Sequence, residues 1–409
     1  MKLIPAAALF SAAALFLSGC GSAAPDPSPT EFVPALSQQV ETTPAETEPP
    51  AVPAKEILNG MTLREKVGQL FLVRPDALEF SISFEDLDNS RADGQSLLSD
   101  NMRENLRRYP VGGFIHFQKN IESPEQITDF NQELSASLPI PPFLATDEEG
   151  GLVARIANSP QFSVPKFQSA ASVGERGPEA SQEMGWIIGN YLREYGFNMD
   201  FAPVADVNTN PKNPVIGTRA FSDDPEQAAL CARAMADGLR RNGIIPVFKH
   251  FPGHGDTAED SHQQLAVSRK SKEELLSCEW IPFRQAEARE CIMAGHIALP
   301  EVTGDMTPAT FSREIITGCL KQELGYRGLV ITDSLSMGAV LQHHDSAEAA
   351  LLALEAGCDI LLMPASLQEA FDGVLNAVKD GVFPEDQLNE IVLKILTAKI
   401  DYHIINPET

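Results

Sequence analysis

The 409-residue sequence has few basic residues for its size, since 31 lysines and arginines stand against 57 aspartates and glutamates and give a formal net charge of -26. Proteins that bind nucleic acid, or that lie on anionic lipid through charge alone, need clustered Lys and Arg side chains. The composition therefore excludes a general electrostatic attraction to either surface, and we expect no nucleic-acid partner. It leaves the oligomeric state open.

Cysteine is scarce, with six residues in the whole chain. Beyond Cys20 the cysteines form no C-x-x-C pair and show no metal-ligand spacing. A disulfide framework is not expected in a domain of this size, and the apolar context of several of them predicts buried free thiols. These five residues are Cys231, Cys278, Cys291, Cys319 and Cys358.

The N-terminal stretch MKLIPAAALFSAAALFLSGC has one cation, Lys2, and an apolar run that is short for a membrane-spanning helix. Its end, Leu17-Ser18-Gly19-Cys20, resembles a bacterial lipobox, in which the cysteine is lipidated and becomes the mature N-terminus. We therefore expect a lipoprotein signal peptide at residues 1–20 and an extracytoplasmic protein anchored to the cell membrane through Cys20. An ordinary signal peptide or an uncleaved anchor is the alternative.

Residues 21–55 are rich in Pro, Thr, Ala and Glu and contain almost no large apolar side chains. Such a segment cannot bury enough apolar surface to order itself, and its prolines keep it extended. We expect a disordered tether here, followed by one folded catalytic domain over residues 56–409.

The folded part alternates between short apolar runs rich in β-formers and stretches with helical periodicity, such as 124–138, 225–243 and 346–358. Eight strand candidates, each followed by a helix or an insertion, predict an α/β fold of the (β/α)8 TIM-barrel type. A doubly wound open sheet is the alternative, but no G-x-G-x-x-G follows the first strand. The eight apolar runs are 68–73, 112–117, 141–146, 198–204, 244–249, 291–298, 328–333 and 359–364.

Ionisable residues follow many of these predicted strands. In a barrel, the carboxyl ends of the strands and the loops after them carry the active site. We therefore expect an active site at that end of the barrel, before any family is considered. The residues at these positions are His116, Asp147, Asp206, Lys249, His250, His296 and Asp333.

The loop KHFPGHGDTAEDSH, residues 249–262, contains three of the eight histidines. It can be a metal site, an acid–base loop or a solvated polar loop. A metal site needs ligands that converge from several strands, whereas the glycines and Pro252 indicate a loop shaped by its backbone, so we expect no metal and no cofactor. In the acid–base interpretation, Asp260 accepts from one ring nitrogen of His262 and fixes its tautomer.

An acid–base loop needs a carboxylate from another strand as its partner. Asp333, at the end of GLVITD, is the best candidate, because an acid that closes an apolar strand is costly unless it is solvated or used. The alternative is that Asp333 caps the next helix, since Asp is a common N-cap residue.

The complete fourteen-residue loop is similar to the signature of family 3 glycoside hydrolases of the β-N-acetylhexosaminidase type. The resemblance extends over residues 56–400 and includes ATDEEGGLVARI, NMDFAPVADVNTNPKNPVIGTRAFSDDP and GYRGLVITDSLSMGAV. It implies a (β/α)8 barrel that releases terminal N-acetylglucosamine from peptidoglycan fragments or related oligosaccharides.

The resemblance also implies roles for single residues. Asp333 matches the catalytic nucleophile, His262 the general acid/base, and Asp260 its orienting partner. The expected substrate-binding residues are Asp147, Arg155, Arg219, Lys249 and His250, whereas His254 and His296 are interpreted as structural or supporting. A nucleophile implies double displacement with net retention, and the acceptor can be water or phosphate.

Two features differ from the family pattern. Leu152 occupies a position where the family often has Arg, which affects contacts to the outer part of a substrate. Residues 74–110 form a long insertion that either shapes substrate entry or is a solvated helix pair. The rival functions are a family 3 β-glucosidase or β-xylosidase, which usually takes its acid from a further domain, and a non-catalytic carbohydrate-binding lipoprotein.

Overall fold

The computed structural model of the chain describes residues 51–258 and 265–406. The predicted signal peptide, Cys20 and residues 21–50 of the predicted tether lie outside the described residues. Residues 51–55 of the predicted tether are described. They belong to the helix Ala51–Gly60, which packs against the C-terminal helix Glu385–Asp401. The folded part of the chain therefore begins before residue 56.

Eight short parallel strands form one barrel sheet, and each lies within or overlaps one of the eight predicted apolar runs. Neighbouring strands follow chain order from β1 to β7, and β8 pairs with β1. A parallel bridge between Ile331 and Ile360 joins β7 to β8 and closes the barrel. The strands are β1 Phe71–Val73, β2 Gly113–His116, β3 Phe143–Thr146, β4 Met199–Asp200, β5 Ile245–Phe251, β6 Cys291–Ala294, β7 Leu329–Thr332 and β8 Leu361–Leu362.

The strands are buried on both faces, as the continuous apolar runs predict for a parallel sheet covered by helices. The (β/α)8 fold is therefore confirmed. Two pairs of very short strands lie outside the barrel sheet, at Glu148–Gly150 with Val153–Ala154 and at Ala266–Val267 with Ile297–Ala298.

Local signals explain where the predicted helices begin and end. Ser123 and Asp224 accept hydrogen bonds from the third residue of their helices, and a proline follows each of them at the first helical position. Gly357, with a φ of 114°, ends the helix that starts at Ser346. The three predicted helices are observed as Pro124–Ala136, Pro225–Arg240 and Ser346–Ala356.

The remaining helical segments lie between the strands or in their loops. Further α-helices are Leu63–Gln69, Phe84–Asp88, Asp100–Arg108, Ala170–Gly174, Pro178–Glu194, Lys272–Ser277, Pro300–Thr303, Gly338–Leu341 and Leu367–Lys379. A wider, π-type helix covers Glu314–Glu323. Single 3-10 turns are Pro75–Leu78, Gln118–Asn120, Gly217–Arg219, Pro282–Gln285 and Ala309–Phe311.

The cysteines of the folded part are free thiols. Four of the five are buried, and Cys278 is half-buried. Across 51–258 and 265–406, we find no helix that combines the length and the apolar character needed to cross a membrane.

A lysine closes the amino-terminal end of the barrel. Lys399 is fully buried, and its ammonium group donates to Gln69 Oε1 at 2.7 Å and to the Gly112 carbonyl at 3.0 Å. Burial lowers the pKa of Lys399 to about 7. The acceptors that surround this lysine are therefore neutral.

Candidate active site

A polar pocket opens at the carboxyl ends of the barrel strands. Its volume is about 710 Å³, including the solvent at its mouth. The five expected substrate-binding residues and Asp333 all line it. The lining comes from the loops after several strands and includes Ile115, Phe117, Asp147, Glu149, Val153, Arg155, Phe201, Val215, Arg219, Lys249, His250, His254, Met293, Asp333, Ser334, Leu362 and Met363.

Lys249, on strand β5, stands between two carboxylates from the loop after β3. Its ammonium group lies 2.8 Å from Asp147 Oδ1 and 2.6 Å from Glu149 Oε1, and the side chain is only 3% exposed. Two arginines hold the far sides of these acids. Arg155 donates to Asp147 Oδ2 at 3.1 Å, and Arg219 makes two bonds to Glu149 at 2.7 and 2.8 Å.

These five side chains form a continuous chain of alternating charge, which we call the Lys249 network: Arg155, Asp147, Lys249, Glu149 and Arg219. Three cations and two carboxylates leave it with one net positive charge. Buried charges are stable only when they are paired and hydrogen-bonded, and each member of the network meets this condition. The network is therefore a fixed set of donors and acceptors that faces the pocket.

The electrostatics of the network keep its groups ionised. Burial alone would favour the neutral acids, but Lys249 and Arg155 hold the pKa of Asp147 well below its usual range. Arg219 and Lys249 likewise lower the pKa of Glu149 against the effect of burial. Burial would lower the pKa of Lys249, yet Asp147 and Glu149 raise it. Neither acid of the network can therefore donate a proton near neutral pH.

The turn after β3 shapes this arrangement. Gly150 and Gly151 have φ values of 80° and 66°, a region that side-chain-bearing residues rarely adopt. They turn the chain back on itself, so that the Arg155 amide donates to the Asp147 carbonyl at 3.2 Å. Leu152, at the tip, is 80% exposed and does not line the pocket. The Arg often found in the family is replaced here by an apolar side chain on the rim.

Asp206 orients the histidine of the KHFPGHG loop. It is fully buried and accepts from His250 Nδ1 at 2.8 Å, from the His250 amide and from the His254 amide at 2.7 Å. Burial would raise the pKa of Asp206, but His250 and His254 lower it. Because Nδ1 of His250 is held by Asp206, its Nε2 is the nitrogen left for a ligand.

Asp333 follows strand β7 and is partly exposed in the pocket. Its amide donates to the Ala294 carbonyl at 2.7 Å, and its Oδ1 accepts from the Ser334 amide at 2.7 Å. The next helix is Gly338–Leu341, with Met337 at its N-cap. The alternative that Asp333 caps this helix is therefore wrong.

Three other histidines have different environments. His116 is fully buried against Phe130 and Phe197, and burial lowers its pKa to about 3. The expectation that it belongs to the site is wrong, because its side chain points into the apolar layer behind β2 instead of the pocket. His296 contacts the Ser334 carbonyl at 2.9 Å, as a supporting residue would.

His254 differs from its predicted supporting role in one respect. Its ring contacts the Thr257 hydroxyl at 2.7 Å, but the side chain also lines the pocket. Burial lowers the pKa of His254. It is therefore held by its loop and also forms part of the pocket wall.

Asp260 and His262 lie outside the described residues, so the predicted acid–base pair stays a prediction. Within the described ranges, no group of three or more His, Cys, Asp or Glu side chains is placed to hold a metal ion.

Glu149 is the charged pocket residue that the sequence analysis did not predict. It lies in the DEEGG stretch two positions after Asp147, and alternation along a short strand places both side chains on one face. This two-residue spacing is visible in the sequence and could have identified Glu149 as a pocket residue. Its pairing with Arg219 could not be read from the sequence, because Arg219 is 70 residues away in the chain.

The chain is a closed (β/α)8 barrel, and the loops after its strands form a polar pocket. It therefore belongs to the class of barrels that carry an active site at the carboxyl end of their strands. Residues 62–398 match the model described as the glycosyl hydrolase family 3 N terminal domain. The chain therefore belongs to glycosyl hydrolase family 3.

Named relatives share this part of the chain. The sequence is 37% identical over 285 residues to a beta-hexosaminidase of Methylococcus capsulatus, which covers 69% of this chain and 84% of that protein. It is 33% identical over 330 residues to beta-hexosaminidase A of Pseudoalteromonas piscicida, which covers 74% of this chain and 55% of that protein.

The solved structure of a family 3 β-N-acetylglucosaminidase from Paenibacillus sp. FPU-7 superposes with a TM-score of 0.76 at 34% identity. The superposition covers 84% of this chain and 63% of that one. This chain therefore spans a little over half of the Pseudoalteromonas relative and under two thirds of the Paenibacillus enzyme.

We predict that Asp206→Asn damages both stability and turnover. An amide at this position places an NH₂ group among donors that need an acceptor, and breaking a buried ionic contact of this kind costs about 3–5 kcal/mol. We expect a clearly lower melting temperature and a loss in kcat/KM of about 10- to 100-fold, because His250 loses its orienting partner. Thermal unfolding and steady-state kinetics measure both.

Asp200→Asn is the matched control. Asp200 is also fully buried, but burial raises the pKa of its carboxyl well above the usual range and so favours the neutral form, which an amide resembles. Its Oδ1 accepts from the Glu148 amide at 2.9 Å, which an Asn oxygen can also do. Equal losses in the two variants would contradict the orienting role of Asp206.

Proposed function

We propose that this chain is a retaining exo-β-N-acetylglucosaminidase that removes terminal N-acetylglucosamine from peptidoglycan fragments. One observation carries the proposal: Asp333 lines the same pocket as the Lys249 network. A carboxylate beside a fixed set of sugar-binding donors and acceptors is what nucleophilic glycoside cleavage needs. The relatives named beta-hexosaminidases support the choice of sugar.

The Lys249 network supplies the grip on the sugar. Lys and Arg donate directed, charge-assisted hydrogen bonds to hydroxyl and acetamido oxygens, and Asp147 and Glu149 accept from hydroxyl groups. Because the ion pairs hold these groups in place before substrate binds, little ordering remains to be done on binding. His250 adds one further ring nitrogen, which Asp206 keeps in position.

The proposed reaction has two steps. In the first, a carboxylate oxygen of Asp333 bonds to the anomeric carbon while the bond to the bridging oxygen breaks, and His262 gives its proton to that departing oxygen. In the second, His262 takes a proton from water, whose oxygen bonds to the anomeric carbon as the ester to Asp333 breaks. Two inversions give net retention.

A histidine suits the acid–base role because the ordinary pKa of an imidazole, about 6.5, lies close to neutral pH, so both its acid form and its base form are populated there. It also brings no negative charge beside Asp333 in either step. An anionic acceptor such as phosphate could then replace water in the second step, and Asp260 would steady the imidazolium.

For the location of the protein, we propose an extracytoplasmic lipoprotein held at the membrane by Cys20. The lipobox-like Leu17–Cys20 sequence and the proline-rich segment that follows support this proposal. A tether of this kind would let the barrel reach cell-wall fragments while its lipid stays in the membrane.

The substrate assignment can be tested with aryl glycosides. We expect the protein to cleave aryl N-acetyl-β-glucosaminide in strong preference to aryl β-glucoside. Asp333→Asn should lower kcat by roughly 10⁴-fold or more, because an amide cannot form the glycosyl ester. Nitrophenol release measures both quantities.

Asp345→Asn is the control for the amide substitution. Asp345 caps the helix Ser346–Ala356 through the Glu348 amide, and Asn caps a helix about equally well. Preference for the glucoside would refute the substrate assignment, and full activity of Asp333→Asn would refute the nucleophile.

The acid role of His262 predicts a dependence on the leaving group. His262→Ala should lose about 10²- to 10⁴-fold in rate with poor leaving groups, which need a proton, and far less with nitrophenols. A series of aryl glycosides of graded leaving-group pKa measures this slope. Equal losses across the series would remove His262 from the acid role, and His343→Ala, at an exposed position, serves as the control.

The proposed anchor predicts where the protein partitions. Cys20→Ser should move the protein from the membrane fraction to the soluble extracytoplasmic fraction, because the acyl-carrying sulfur is lost. Fractionation with immunodetection measures this change. Cys278→Ser should partition as the wild type does, and a wild-type protein that carries no lipid would contradict the proposal.

A further inference from the structure

A second compartment adjoins the sugar pocket. Its volume is about 850 Å³, including open solvent, and it shares four lining residues with the pocket: Phe117, Arg155, Ser334 and Met363. Because Ser334 directly follows Asp333, the two compartments meet beside the carboxylate. A substrate cleaved there would place one part in each compartment.

The outer wall of this compartment comes from the insertion after β1. Residues 87–90, which we call the β1 turn, supply Leu87, Asp88 and Ser90 to the lining. They comprise the last two residues of the helix Phe84–Asp88 and the two residues after it. Of the two alternatives for residues 74–110, a solvated helix pair and a segment at the site, the position of the β1 turn supports the second.

Two cations of the barrel mouth hold the β1 turn in place. Arg74, directly after β1, donates to the Leu87 carbonyl and contacts Asp88 Oδ1 at 2.8 Å. Lys119, after β2, donates to the carbonyls of Asp86 and Leu87 at 3.2 and 3.0 Å. Cations at the carboxyl end of a helix are favourable, because its last carbonyls lack helical partners. The wall is therefore tied to the barrel.

The charges of the second compartment are paired within the protein. Arg74 pairs with Asp88, Arg155 with Asp147, and Lys119 lies 3.5 Å from the buried Asp76. The uncharged part of the lining comprises the Phe117 ring, apolar side chains, the Gln118 amide and hydroxyl groups.

Phe117 marks the junction of the two compartments. The guanidinium groups of Arg74 and Arg155 each lie 5.1 Å from the centre of its ring. Two cation contacts of this kind restrain an aromatic side chain. The lining therefore combines an aromatic ring with the Ser90 hydroxyl and the mutually bonded hydroxyls of Ser334 and Ser336. This combination suits a pyranose, which has apolar C–H faces and a rim of hydroxyls.

We infer that the second compartment binds the leaving sugar as a pyranose ring, and that the β1 turn determines which disaccharides are cleaved. The inference rests on the proposed glycosidase function and adds specificity residues to it. A neutral hexosamine and an acidic muramic-type sugar share the required ring, so both are included in the test.

The test places a large side chain in the compartment. Ser90→Trp in the full chain is assayed on N-acetylglucosaminyl fluoride, which has no leaving sugar, on N,N′-diacetylchitobiose and on an N-acetylglucosamine–anhydro-N-acetylmuramic acid disaccharide. We expect kcat/KM to fall about 10-fold or more for one or both disaccharides and to stay within about 2-fold for the fluoride. The disaccharide with the larger loss identifies the preferred ring.

Ser81→Trp is the matched control, since Ser81 is exposed in the same insertion and does not line the compartment. Ser90→Gln should show a smaller loss in the same direction and serves if the Trp variant folds poorly. Unchanged ratios among the three substrates, or equal losses on all three, would overturn the inference. A wild-type protein that does not turn over the fluoride would instead refute the proposed function.

Discussion

The site depends on one buried ammonium group, that of Lys249, placed between two carboxylates. Burying a lysine is costly unless its charge is paired, and Asp147 and Glu149 supply that pairing. These acids would in turn be destabilised by burial without Arg155 and Arg219 on their other sides. The five groups therefore stabilise one another. Removing either acid leaves an arginine unpaired, and removing any cation leaves a carboxylate with one partner fewer.

This constraint ties the chemistry to the closure of the barrel. Lys249 comes from β5, its two acids from the loop after β3, and Arg219 from the long loop after β4. Asp206, in that same loop, reaches the amides of His250 and His254 and so joins the loops after β4 and β5. The polar contacts that would bind a sugar are thus the contacts that hold the barrel mouth together.

The two ends of the barrel use buried lysines in different ways. Lys399 meets only neutral acceptors, so burial lowers its pKa, whereas carboxylates raise the pKa of Lys249. The insertion after β1 then extends the mouth without changing the Lys249 network, because Arg74 and Lys119 hold it from outside the pocket that this network lines.

The amino-acid sequence by itself determined the eight strands, the capped helices and most of the charged pocket residues, because apolar runs, caps and polar strand ends are local patterns. Only the tertiary structure decided that His116 faces the apolar layer, that Asp333 does not cap a helix and that Glu149 completes the ionic network. The partners in these contacts are far apart in the chain, so which charges become paired depends on how the barrel closes. No local pattern carries that information.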